Sequence, residues 1–447
     1  MFIIGGGLSG VLVAVYLAAQ NNGAEIVLVE KVPEKLGRGV AYQQDFINQP
    51  LNVVAGSMSL YEEVPDDFVK WLQSNSFRYS NLIAGINPRS FVPRKIFGDY
   101  VTEKLKEAHR SYPGKFQIII DEAVCISKRA GGHTVIMASG IEHHADHVVL
   151  ALGNFPPGDI VAVTEEIRQS GAYFSNSWTD EIYRDLAGDE EILLIGSGLT
   201  AIDVVLGLHS RNFRGRVTMV SRRGKLPLPH FFSDETFVWS LPYRLSPLDL
   251  LKSVRQTIKS HPDIHWSLIV DALRAYVPEI WRHWNLSEKK IFLKRLRPFW
   301  EISRHRIPAE SLALLTHLQQ AGKLRMVRGE VLELKRAGAG FDAVYRNGNT
   351  RENGFFDKII NCTGPESNYR KIKFPIIDHL ILDYKVVPDP LNLGIMCDAD
   401  GKITNEDGLP IDGLWCIGPM RKAVLWETTA LREIRSQACK LAKDIGR

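Results

Sequence analysis

At 447 residues the chain is longer than one compact unit and predicts two or three domains. With 45% hydrophobic and 24% charged residues it has the balance of a soluble globular protein, and a net charge of +4 excludes a strong pull toward nucleic acid or anionic membrane. Its five cysteines (Cys125, Cys362, Cys397, Cys416, Cys439) form no CxxC pair, which argues against a zinc site and against the dithiol of disulfide reductases.

In chain order, an apolar strand at 2–4 runs into "GGGLSG" and a helix to about Gln20, followed by a strand, "EIVLVE", at 25–30. A glycine turn so near Met1 leaves no room for a cleavable signal, and no apolar run approaches the ~18–20 residues of a membrane span. The expectation is a cytoplasmic protein. Residues 37–60, rich in Gly, Asn and Ser, lack periodicity and read as irregular chain laid over something. Helices are expected around 66–74 and 95–110, then strands at 115–120, 133–138 and 147–152. A second strand, turn and helix begin with "ILLIGSGLTAID" at 192–203 and end in a strand at 216–221. From 233 to 321 the period is helical and the composition rich in Trp, Leu and basic residues. Such helices must bury against something, either as a cap on a substrate pocket or as an oligomer face. Strands return at 324–333, 342–346 and 356–364, before a last strand, a turn and a closing helix.

The two glycine turns superpose without a gap. Gly5, Gly7 and Gly10 fall on Gly196, Gly198 and Ala201, and Glu30 falls on Ser221. In each turn the first glycine permits the tight bend, and the second lets backbone approach a pyrophosphate. The third small residue lets helix and strand pack closely. Leu8 and Ser9 in the first turn, and Ser197, Leu199 and Thr200 in the second, stand at the helix N-terminus where a pyrophosphate would bind. A carboxylate at Glu30 accepts hydrogen bonds from a ribose diol and repels a 2′-phosphate. Ser221, Arg222 and Arg223 do the reverse. The first site is therefore expected to take a dinucleotide with a free adenosine ribose, and the second NADPH.

Two dinucleotide folds about 190 residues apart resemble the two-dinucleotide-fold flavoproteins, which hold FAD in the first site and NADPH in the second. The stretches "GRGVAY…LNVVAGSMSL" (37–60), "FVPRKIFGDYV" (91–101), "VVLALGNFPP" (148–157), "LRPFWEISRHRIP" (296–308) and "GPMRKAVLWETTALREIR" (418–435) are similar to the bacterial FAD/NAD(P)-binding protein family. That family includes an FAD-dependent urate hydroxylase and is related to the flavin monooxygenases and the lysine/ornithine N-hydroxylases. The resemblance implies an α/β fold of two Rossmann-like domains. These are a discontinuous FAD domain (1–160 plus 350–447) and an inserted NADPH domain (161–232 plus 311–349), to which a helical insertion (233–310) is added.

It also implies that Gly5, Gly7, Ser9, Gly10 and Glu30 bind FAD, with Lys31 by the adenosine and Val124 by the adenine. Gly39, Asn52 and Met58 are expected over the flavin, and Arg94 near it. Gly153 and Gly364 end strands whose turns cross between domains, and Gly418, Trp426 and Glu427 mark the start of the closing helix. Trp426 is equally a core aromatic, and Glu427 equally an N-terminal capping carboxylate. Gly418-Pro419 departs from the Gly-Asp common in related flavoproteins and leaves the ribitol ligand unnamed. "YFSNSW" (173–178) lacks the histidine fingerprint of flavin and Baeyer–Villiger monooxygenases.

"WEISRHRIP" (300–308) reads either as an anion clamp or as a salt-bridged helix end. His230 reads as a turn histidine or an active-site one. His143, His144 and His147 lack metal-ligand context, and no metal is expected. The activity implied is monooxygenation of a small polar, nitrogen-containing molecule by FAD, NADPH and O₂ through a flavin C4a-hydroperoxide, with no catalytic side chain identifiable. The alternatives are an FAD-dependent reductase that inserts no oxygen, and a catalytically silent flavin-binding protein.

Overall fold

The computed structural model describes residues 1–45, 47–83 and 85–446. Among these, two parallel sheets organise the chain. The first has six strands in the order Lys402–Thr404, Pro410–Cys416, Val148–Leu150, Phe2–Ile4, Ile26–Glu30 and Phe116–Ile120. Only the edge strand Lys402–Thr404 runs antiparallel to its neighbour. The central strand Phe2–Ile4 is fully apolar and buried on both faces, as parallel strands under helices must be. The helix Leu8–Gln20 packs beside it, against the closing helix Leu431–Ile445 and the helix Arg94–Ser111.

The second sheet has five parallel strands in the order Leu324–Arg328, Arg216–Ser221, Glu191–Ile195, Lys358–Asn361 and Tyr173–Phe174. The helix Leu199–Ser210 buries Ala201, Val204, Val205 and Leu208 against one face of it. The chain returns to the first sheet later than the boundary at 350 expected from sequence. Thr350–Phe356 closes a separate three-stranded antiparallel sheet with Val331–Ala337 and Gly340–Asn347, and Lys358–Asn361 pairs with Glu191–Ile195. Strand pairing is a long-range property that apolar pattern alone does not carry.

Residues 233–310 contribute helices at Pro247–Ser260, Trp266–Leu273, Val277–His283, Leu286–Ile291 and Arg297–Arg304, the last preceded by a π-helical turn at Phe292–Leu296. Their apolar side chains bury together: Leu241, Leu250, Leu273, Ile280, Trp281, Trp284 and Phe292 share one cluster with Leu393 and Trp426. The insertion therefore docks through its tryptophans onto the segment just before the closing helix. No helix among the described residues is long and apolar enough to cross a membrane.

Candidate nucleotide and flavin sites

Both glycine turns leave a helix N-terminus bare. Gly7 and Gly198 are the N-caps of their helices, with nearly identical backbone angles (φ −76°, ψ −170° and φ −80°, ψ −169°) and no side-chain cap. Free N–H groups and the helix dipole there favour an anion. Gly5 (φ +109°) and Gly196 (φ +122°) make the same left-handed bend, each against the backbone carbonyl of the neighbouring strand's end, Ala151 and Cys362. The turns differ at the third position. Ala201 is fully buried in the second unit, whereas a Cβ at Gly10 would stand 1.9 Å from the Gly5 carbonyl oxygen.

At the end of its strand, Glu30 accepts the Gly6 N–H on one carboxylate oxygen (3.0 Å) and the Val32 N–H on the other (3.1 Å). Both oxygens keep lone pairs for further donors. Lys31 pairs at 3.0 Å with Glu122, two residues before Val124, and lies over the Phe374 ring. Gly39 faces the first turn, and a Cβ on Gly7 would come within 3.2 Å of its Cα. Asn52 accepts a hydrogen bond on its carbonyl from His230 Nε2 (2.9 Å), so these two candidates meet. Burial lowers the His230 pKa, and its ring lies beside Phe91 and Phe232. Met58 is packed into the first core beside Ala55 and Leu60.

Gly153 and Gly364 both have positive φ with open space around the position a Cβ would take. The segments they begin pair across the units through a bridge between Phe155 and Glu366. A small cleft there brings Thr200 and Gly364 together with Phe155 and Trp178.

Arg94 starts its helix and reaches Asp203 on the second unit's helix at 3.0 Å. Burial pushes the Asp203 carboxyl up to about 6, with the Arg94 charge opposing. A carboxyl raised in the folded state is most favourable below the unfolded value near 4, and its contribution is lost as pH rises toward 6. Asp203→Asn is expected to flatten the decline in the urea midpoint between about pH 4 and 6. An unchanged pH profile in the variant would show that Asp203 does not titrate in this window.

The segment that leads into the closing helix holds a strained residue. Trp426 adopts φ 62° and ψ −59°, and Glu427 N–H donates to the Leu425 carbonyl at 2.8 Å. This is a γ-turn with its central residue in a strained region, a conformation that costs on the order of 1–3 kcal/mol and persists only where its surroundings enforce it. Here they do. The Trp426 ring packs against Trp281 and Phe292, with Lys422 at 4.8 Å and Arg297 at 5.8 Å from its centroid. Trp281 Nε1 donates to the Ala423 carbonyl (2.9 Å).

The turn delivers Glu427 into the interior, where it accepts from Trp300 Nε1 (2.9 Å) and lies 3.7 Å from Arg304. Burial pushes the Glu427 carboxyl up, but Arg304, His305 and Trp300 together hold it below its ordinary value. "WEISRHRIP" and "WETT" therefore form one site, which no spacing in the sequence indicated. Arg306 turns away from it to pair with Asp271 at 2.8 Å.

The residues fit a flavin on the first unit. Beside the bare helix at Gly7 and the free lone pairs of Glu30, the closing helix begins at Ala430 with no side-chain cap. The Thr428 hydroxyl and Gln437 Nε2 are buried without partners among the described residues. Gln437 Oε1 accepts the Gly418 N–H at 2.9 Å, and Gly418 in turn lies against Ser9. Gln437, which sequence reasoning missed, occupies the neighbourhood where Gly418-Pro419 left no named ligand. The second unit offers a bare helix at Gly198, open space at that glycine, and Ser221 bonded to Ser197 Oγ (2.8 Å). Arg222 and Arg223 are exposed beside it.

Residues 2–155 match the protein-family model described as FAD-NAD(P)-binding. No curated protein matches the chain in sequence. Solved structures match over nearly its whole length. The ornithine N-hydroxylase of Kutzneria sp. 744, described with reduced FAD, NADP⁺ and L-ornithine, is 14% identical with a TM-score of 0.67, covering 99% of this chain and 98% of its own. The L-lysine 6-monooxygenase of Pseudomonas syringae is 16% identical with a TM-score of 0.67 and the same coverage. The ornithine hydroxylase of Pseudomonas aeruginosa is 15% identical with a TM-score of 0.65, covering 100% of this chain and 98% of its own.

Proposed function

We propose that this chain, which carries an FAD-NAD(P)-binding domain at residues 2–155 and the two-dinucleotide fold of flavoproteins throughout, is an FAD-dependent, NADPH-using monooxygenase acting on a small nitrogen-containing molecule. The observation that carries the reading is the pairing of two bare glycine turns with opposite chemistry at the following strand ends, Glu30 in one unit and Ser221-Arg222-Arg223 in the other. The N-hydroxylase structures share this fold end to end.

When bound, FAD supplies the chemistry that takes two electrons from NADPH and activates O₂. The chain's own work is binding, orientation and exclusion of water. Glu30 would hold the FAD ribose diol, and the N-terminus of Leu8–Gln20 would hold its pyrophosphate. The uncapped N-terminus of Leu431–Ile445 and the buried, unpartnered Thr428 hydroxyl would offer donors to the flavin ring. The insertion, anchored at Trp426 and Glu427, would exclude water from the bound flavin.

The purified protein should be yellow, should bleach with NADPH under anaerobic conditions, and should incorporate labelled oxygen from O₂ into a product when supplied with an amine or purine substrate. If it bleaches but returns all the oxygen as peroxide across such a panel, it is a reductase. Arg222→Ala combined with Arg223→Ala is expected to raise KM for NADPH about tenfold or more, since charge-assisted hydrogen bonds contribute about 1.5–3 kcal/mol each, and to leave KM for NADH nearly unchanged. Equal effects on both would remove the phosphate-binding role.

A further inference from the structure

We propose that Arg328 is the third guanidinium of the site that reads the 2′-phosphate, an inference that rests on the second turn being the NADPH site. Arg328 ends the strand Leu324–Arg328, and its Cα is the register partner of Ser221. Residues in register on parallel strands point to the same face. Met219 and Leu324 belong to the cluster under the helix Leu199–Ser210, whereas Val220 and Val327 lie in the cluster on the other face. Ser221 and Arg328, one residue beyond Val220 and Val327, therefore project on the helix side. Both are at the carboxyl ends of their strands, where open parallel sheets bind ligands.

The loop after Ser221 folds onto Arg328. The Gly224 N–H donates to Ser221 Oγ (3.1 Å) and the Gly329 N–H to the Ser221 carbonyl (2.9 Å). Gly224 has φ +56°, and a Cβ there would stand 2.9 Å from Arg328 Cβ. The loop bearing Arg222 and Arg223 is thus seated against the Arg328 stem.

Charge pairing on the two strands is consistent with this grouping. On these two strands, Arg216 pairs with Glu191 and Arg325 with Glu352 at 2.5 Å. Among the described residues Arg222, Arg223 and Arg328 have no carboxylate within ion-pair distance, and all three are exposed. Lys225, next in the loop, is turned to the Phe299 ring at 5.3 Å and does not join them. Three arginines without a carboxylate partner on one strand end and the loop seated against it offer charge that a phosphate dianion would neutralise.

The test is calorimetric titration of the flavin-loaded protein with 2′,5′-ADP and with 5′-AMP, which differ only in the 2′-phosphate. The unaltered protein should prefer 2′,5′-ADP. Arg328→Ala should weaken 2′,5′-ADP by about tenfold to a hundredfold and leave 5′-AMP unchanged. Arg328→Lys should recover part of the loss, since it keeps the charge without the fork. If the unaltered protein does not discriminate, the NADPH reading itself fails. If it does, and the Arg222→Ala/Arg223→Ala variant loses discrimination while Arg328→Ala keeps it, the role of Arg328 is overturned. Equal weakening of both ligands by Arg328→Ala, with an unchanged melting temperature, overturns it as well.

Discussion

Gly10→Ala is expected to give a protein that cannot hold flavin and is less stable by about 3 kcal/mol or more, beyond the usual range for overpacking one methyl group. The added Cβ would sit 1.9 Å from the Gly5 carbonyl oxygen and 3.3 Å from Ile3 Cγ2. The Gly5 backbone cannot retreat, because its own Cβ position is already 2.3 Å from the Ala151 carbonyl oxygen. The helix Leu8–Gln20 would have to lift off the sheet, taking with it the N–H groups that face the pyrophosphate. The ratio of flavin absorbance to protein, together with the melting temperature, measures both effects. Gly198→Ala is the control. A Cβ there meets nothing within 4 Å, so this variant should fold and stay yellow while NADPH binding weakens. A Gly10→Ala protein that is fully yellow and melts normally would refute the steric account.

Glu427→Ala is expected to cost about 3–5 kcal/mol, the range for removing one member of a buried ion pair. Arg304 is 11% exposed and Glu427 6%, so the guanidinium left behind would be desolvated and unpaired. The Trp300 indole N–H would lose its acceptor too. The Glu427 carboxyl is held below its ordinary value, so its contribution is present at neutral pH and lost as pH falls through the folded value. Glu427→Ala should therefore be most damaging near neutrality and converge on the unaltered protein in acid, as urea denaturation across pH would show. A constant difference at all pH values would mean that packing, not charge, accounts for the loss.

The two glycine turns were legible because their requirements are local. A left-handed bend, a helix start and a strand end lie within thirty residues, and the gap-free register of Glu30 on Ser221 reflects real strand ends. The helices near 66–74 and 95–110 were legible for the same reason and fall at Asp67–Ser74 and Arg94–Ser111. What escaped was set by distance along the chain. Trp300 and Glu427 are 127 residues apart and meet only because the insertion docks through Trp281 and Phe292. Arg328 joins Ser221 through strand register, and Gln437 of the closing helix meets Gly418 just past the last strand; neither contact leaves a spacing pattern. Met58, expected over the flavin, packs beside Ala55 and Leu60, a facing that the irregular stretch around it offered no periodicity to read.

The γ-turn at Trp426 also limits how this architecture can be recombined. Its strained residue belongs to the first unit, but the rings that pack against it, Trp281 and Phe292, come from the insertion, well over a hundred residues earlier in the chain. The insertion is therefore not a detachable accessory. A chimaera that exchanges residues 233–310 with those of another flavoprotein, leaving 418–435 in place, would release the turn and misplace Glu427. A transplant that moves both stretches together would keep the turn and its support intact.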